Sequence, residues 1–206
     1  MADKIIINIG RQLGSGGREI GEKLAKRFDA HYYDKALVAE AARESGLDEN
    51  AILRSDERKS LFQSLFSMGA SVVCGAEFYG RHFGEDAVFQ IVSDVIRRAA
   101  ERESCVFVGR CADYVLRDNP ACINVFVSAD MDDRVKRLSS KFGVDADKAR
   151  QMAEQMDEKR ASFYNFYSNN RWGEASTYHL CVNSSVLGID GTVDFIASFV
   201  EKRNSL

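Results

Sequence analysis

Proline is nearly missing from this chain: Pro120 is the single one among 206 residues. Proline-rich linkers are therefore excluded. No apolar run approaches the roughly 20 residues that a membrane span requires. The chain is expected to enter a strand almost at once, which leaves no room for a secretory leader. Histidine is scarce, and His31, His82 and His179 lie far apart with no metal-ligand spacing. The five cysteines, Cys74, Cys105, Cys111, Cys122 and Cys181, are odd in number, scattered, and never paired as C-x-x-C. That pattern argues for reduced core thiols in a cytoplasmic protein, and against zinc or a disulfide framework. Neither sign of charge dominates: 28 basic against 31 acidic residues leave a net charge of −3. Nothing global draws the chain toward a nucleic acid polymer or a membrane, so any anion site must be a local cluster of Arg and Lys.

What remains is ordinary in bulk and distinctive at one end. Hydrophobic residues make up 45% and charged residues 29%, as in a soluble globular domain. The length suits one α/β domain with a real core. At the N-terminus, Ile5 to Ile9 is a β-branched apolar run. Gly10-Arg11-Gln12-Leu13-Gly14-Ser15-Gly16-Gly17-Arg18-Glu19 follows directly, and then Ile20, Leu24 and Phe28 recur at helical spacing. This reads as strand, glycine-rich loop, helix. Such a junction binds phosphate because glycines let several N–H groups turn toward one anion, and the helix N-terminus adds positive partial charge.

The loop departs from the Walker A pattern G-x-x-x-x-G-K-[ST]. With Gly16 as the second motif glycine, Gly17 stands where the lysine belongs and Arg11 where the first glycine belongs. Arg18 is the expected substitute for the lysine, since its fork suits phosphate oxygens. Ser15 is a candidate donor to phosphate. Glu19 sits favourably on the helix dipole.

Further strands are expected at residues 30–33, 105–108, 123–127 and 179–183, separated by helices at 35–45, 85–103, 130–137, 152–163 and 190–202. Residues 75–84, glycine-punctuated and aromatic, read as a loop. The pattern predicts an α/β fold, a doubly wound five-stranded parallel sheet of the P-loop NTPase type. Residues 35–103 form an inserted helical, acceptor-side region, and a lid is expected over 138–158. Ligands in such sheets sit beyond the carboxyl ends of the strands. There the sequence collects Gly10 to Arg18, Asp34 and Lys35, Gly109 and Arg110, and Ser128 to Arg137. Arg134 and Arg137 share one side of a helix, as do Asp157 and Arg160. Tyr164, Tyr167 and Trp172 read either as a base-stacking group or as core.

These pieces together resemble the cytidylate kinase-like branch of the P-loop nucleoside monophosphate kinases. The resemblance rests on the loop from Gly14 to Gly21, on Tyr33-Asp34-Lys35, and on Phe107-Val108-Gly109-Arg110. It also rests on Asp132 to Arg137, Asp157-Glu158-Lys159-Arg160, and Cys181 to Ser185. It implies ATP and Mg²⁺ as cofactors, with Gly14, Ser15, Gly16, Gly17, Arg18 and Glu19 around the donor phosphates. Asp34, Lys35, Arg110, Asp157 and Arg160 would bind the acceptor. Arg18, Arg110, Arg134, Arg137 and Arg160 would stabilise the transferring charge. The activity implied is phosphoryl transfer from ATP to a small acceptor, with a nucleoside monophosphate as the expected one. The missing lysine supports the alternative of a degenerate kinase fold that binds nucleotide as a sensor. A monomer and a homodimer are both compatible with the sequence.

Overall fold

A computed structural model describes residues 4–34 and 78–205. The strands are β1 (Ile6–Arg11), β2 (His31–Tyr33), β3 (Cys105–Val108), β4 (Cys122–Ser128) and β5 (Leu180–Asn183). The described helices are α1 (Gly17–Arg27), α2 (Phe78–Arg102), α3 (Ala112–Val115), α4 (Met131–Phe142), α5 (Ala146–Ser168) and α6 (Ser184–Asn204). A single 3₁₀ turn spans Ala175–Thr177. All strand pairs are parallel, in the order β2-β3-β1-β4-β5. The doubly wound parallel sheet expected from the sequence is the one found. The predicted helix over 35–45 and residue Lys35 lie outside the described residues.

The sheet is buried on both faces, which is why its central strands are apolar apart from Asn8 and Asn124, where Asn8 Nδ2 donates to Asn124 Oδ1 at 2.8 Å. Ile7 and Ile9 of β1, with Val106, Val108, Ile123 and Val125, face α1 and α6, where Ile20, Leu24, Val193, Ile196 and Val200 cover them. Ile6, Cys105 and Phe107 face the other way, under Ile96 and Ala99 of α2, Ala112 and Val115 of α3, and Tyr164 of α5. Cys105, Cys111 and Cys122 are buried free thiols, whereas Cys181 is exposed.

The elements differ from expectation where glycines mislead. Helix α2 begins at Phe78, so most of the stretch read as a loop is helical. Gly80 and Gly84 each lower helix propensity by about 1 kcal/mol, a penalty that a 25-residue helix absorbs. Strand β1 runs past Ile9, because Gly10 and Arg11 still pair with Phe126 and Val127 of β4. Helix α6 starts six residues before Asp190, directly after β5. The Asn183 side chain caps it by accepting the Ser185 amide at 2.9 Å. A break at Gly188 (φ 67°, ψ −179°) interrupts it. The aromatic group that reads either as base-stacking or as core packs internally. Tyr164 is 5% exposed, Tyr167 stacks on Phe89 with centroids 4.0 Å apart, and Trp172 meets Phe126 edge-on at 5.1 Å.

Candidate active site

The loop between β1 and α1 is held open by its neighbours. Gly14 and Gly16 have φ of +80° and +77°, the left-handed region that favours glycine. Ser15 is fully buried, and its hydroxyl donates to the Gln12 carbonyl at 2.9 Å. The other carbonyls of the loop are taken from outside. Arg160 Nη1 donates to Arg11 O at 2.9 Å, Arg134 Nε to Leu13 O at 2.7 Å, and Arg137 Nη1 to Gly14 O at 3.0 Å. Ser184 Oγ donates to Ser15 O at 2.7 Å. With the carbonyls of Arg11, Leu13, Gly14 and Ser15 engaged from outside, the amides from Gly14 onward are left to the loop interior. Among the described residues, those of Gly14, Gly16 and Arg18 find no protein acceptor. An anion in the loop would supply one.

Asp157 ties α5 to the same loop. Its Oδ1 accepts the Leu13 amide at 2.8 Å and its Oδ2 pairs with Arg134 Nη2. Arg134 and Asp157 are both nearly buried, so each neutralises the other at a place where a lone charge would be costly. Burial raises the Asp157 pKa, and the Leu13 amide and Arg134 oppose that rise.

Beyond the loop, the end of β3 carries three successive residues with positive φ: Gly109 (82°), Arg110 (64°) and Cys111 (53°). Left-handed conformations in non-glycine residues cost on the order of 1 kcal/mol each, and they cluster where a site needs a fixed direction. Arg110 thereby leaves the strand end beside Asp34, Arg160 and Arg11, all close enough to influence its charge. Arg11 crosses from the first strand to the same place. A Cβ on Gly109 would lie 2.2 Å from its Nη1. Burial and Arg110 lower the Arg11 pKa to about 10, and burial and Arg11 lower that of Arg160 to about 9. All remain cationic at neutral pH. Their neighbouring carboxylates are engaged, Asp34 by Arg18 at 2.8 Å and Asp157 by Arg134. The result is a cluster of excess positive charge at the carboxyl edge of the sheet.

The structure therefore sorts the residues singled out in the sequence. Gly14 to Gly17 form the loop. Arg110 stands across from it. Arg134, Arg137, Asp157 and Arg160 come together behind it, through hydrogen bonds to its backbone. Arg18 does not take up the lysine's place. Its side chain is 63% exposed and pairs with Asp34 and, at 3.2 Å, with Glu22. The first turn of α1 points residue 18 toward the end of β2 rather than into the loop. Glu19 pairs with Lys23 at 3.1 Å. Residues 138–158 are the end of α4, a turn at Gly143 to Asp145, and the first half of α5. Arg11 is the residue that motif reading missed. Its signal was an arginine at the last strand position before a glycine-rich loop. No group of three metal-ligating side chains occurs among the described residues. The position after the motif lysine, where a hydroxyl would meet Mg²⁺, holds Arg18. The described residues thus offer no metal cage of their own.

The comparisons with known proteins bear on the family and the fold. The model of the cytidylate kinase-like family matches residues 6–186. An uncharacterized protein from Eubacterium ventriosum ATCC 27560 is 30% identical, with a TM-score of 0.74 over 97% of this chain and 99% of that one. A shikimate kinase from Bacteroides thetaiotaomicron superposes with a TM-score of 0.51 at 16% identity, covering 96% of this chain and 98% of its own. A gluconokinase from Sinorhizobium meliloti 1021 does so with 0.51 at 13% identity, covering 96% and 94%. These last two share the P-loop kinase fold. No curated protein matches the sequence significantly. The chain belongs to the cytidylate kinase-like family.

Proposed function

We propose that this member of the cytidylate kinase-like family transfers the γ-phosphoryl group of ATP to a small acceptor, with a nucleoside monophosphate as the acceptor class. The observation that carries the reading is the excess of guanidinium charge between the glycine loop and Arg110, at the carboxyl edge of the sheet. Phosphoryl transfer asks little covalent chemistry of a protein. It asks for alignment and for positive charge around the transferring group.

In this reading the amides of Gly14, Gly16, Gly17 and Arg18, with Ser15 and Glu19 beside them, enclose the donor phosphates. Arg110 holds the acceptor phosphate, with Asp34 beside it. One acceptor oxygen attacks the γ-phosphorus, the bond to the β,γ-bridging oxygen breaks, and ADP leaves with that electron pair. A phosphate acceptor is already ionised at neutral pH, so the step requires no general base. Mg²⁺, when bound, neutralises phosphate charge, and it would enter with the nucleotide and keep its waters. Arg134, Arg137 and Arg160 hold the loop's shape from behind, with Asp157 fixing Arg134. The stretch 138–158 serves as the lid that excludes water.

The test is a coupled ADP-release assay with CMP, dCMP, UMP and AMP, and with shikimate and gluconate as non-nucleotide acceptors. Release that depends on a nucleoside monophosphate, and that falls at least about 100-fold in Arg110→Ala while the thermal transition persists, is the expected result. Release with shikimate or gluconate instead would replace the acceptor class. Near-wild-type turnover by Arg110→Ala would remove Arg110 from the acceptor site.

A further inference from the structure

In the Walker A pattern the loop begins with a glycine and carries its lysine directly after the second glycine. Here those two positions are exchanged, with Arg11 at the first and Gly17 at the second. The structure gives a steric reason for treating them as one unit. A Cβ built on Gly17 would lie 2.6 Å from the Cβ of Arg11 and 3.0 Å from its Cγ. Only one of the two positions has room for a side chain. The stem of Arg11 then passes over Gly17, and its guanidinium reaches the Cα of Gly109, where a Cβ would sit 2.2 Å from Nη1 and 2.9 Å from Cζ. Two glycines thus line the path of one arginine, one on the donor loop and one beside Arg110.

The charge at the end of that path is not spent on the protein. Among the described residues, the Arg11 guanidinium has no hydrogen-bond or ion-pair partner. The nearest carboxylates, Asp34 and Asp157, pair with Arg18 and Arg134. A guanidinium kept for structure alone would be expected to have a carboxylate or carbonyl to bind, since burying it otherwise is unfavourable.

We infer that Arg11 takes the part of the absent loop lysine, reaching the terminal phosphates of the nucleotide from the end of β1 instead of from the start of α1. This rests on the kinase reading above. It makes Arg11 a catalytic residue, a forked donor between the donor loop and the acceptor arginine. It also accounts for Gly17, which keeps its position empty so that Arg11 can cross it.

The test uses the full chain as wild type, Arg11→Met, Arg11→Gly, Gly17→Lys and the double exchange Arg11→Gly with Gly17→Lys. Calorimetry measures the dissociation constants of Mg–ATP and of AMP, and thermal unfolding reports the fold. Arg11→Met keeps the packed stem and removes the charge. It is expected to weaken ATP about 10- to 100-fold while AMP changes less than threefold, with turnover falling at least about 100-fold. The double exchange is expected to return the ATP-to-AMP preference to within tenfold of wild type. Gly17→Lys alone is expected to bind worse than wild type, because its Cβ collides with the Arg11 stem. An Arg11→Met protein with the wild-type ATP-to-AMP preference and turnover would overturn the inference and leave the kinase reading standing. A wild-type chain that binds no ATP would overturn both.

Discussion

Gly16 meets two constraints at once. Its φ is +77°, and a Cβ there would stand 2.1 Å from Ile189 Cδ1. Gly16→Ala should therefore lower stability by about 1–3 kcal/mol, read by chemical denaturation, and weaken ATP binding with it. The Arg134–Asp157 pair behaves differently, because the loss there is of a partner rather than of space. Asp157→Leu leaves Arg134 buried and unpaired, and denaturation should show a loss of about 3–5 kcal/mol. His179 sets a pH dependence. Its Nδ1 accepts the Asn124 amide at 3.0 Å, which requires the neutral ring, and burial lowers its pKa in the folded state. The unfolded chain then binds the proton more readily, so stability is full above about pH 6.5 and declines as pH falls through the folded value. Thermal midpoints across pH 5–8 should show this decline in the wild type and a weaker one in His179→Gln. At this scale the sequence was only partly legible. Gly14, Gly16 and Arg110 stood out because motifs name their types. Arg11 did not, because a motif registers an arginine in a glycine's place as a loss. The compensation appears only when position 17 is seen to lie against position 11.

Helices α4 and α5 form a hairpin whose seam is narrow. Ala149 and Ala153 are fully buried against Val135 and Leu138, with Leu13 of the phosphate loop packed on the same cluster. Small residues in that seam let the backbones approach closely enough for Arg134 and Asp157 to meet above it. Ala153→Leu should overpack the seam, cost about 1–3 kcal/mol in denaturation, and raise the ATP dissociation constant by moving Asp157 away from Leu13. Both helices were legible in the sequence, α4 from its start at Asp130 and α5 from the recurrence of Met152, Met156 and Phe163, and the site's carboxyl-edge loops were legible from the strand ends. Sequence reading misplaced the starts of α2 and α6. Gly80 and Gly84 read as breaks, and helix length outweighed them. Asn183-Ser184-Ser185 is a helix-start signal that the apolar pattern after Asp190 overshadowed, because Gly188 divides the helix between them.

Across the whole molecule the sheet order reverses at β1, which lies between β3 and β4. The loop after β1 therefore opens into the crevice where both flanking strands also end, and Arg11, Arg110 and the braces from α4 and α5 converge there. This placement follows from the strand order, which the structure supplies; the doubly wound parallel sheet was legible because five strands alternating with helices admit few arrangements. The most direct measurement is a calorimetric titration of the unmodified protein with Mg–ATP, followed by Mg–ADP and AMP. Saturable one-site binding, tightest for the triphosphate and weakest for the monophosphate, is the result predicted for a phosphate loop whose charge comes from Arg11. No heat from any of the nucleotides at millimolar concentration would contradict the account at its centre.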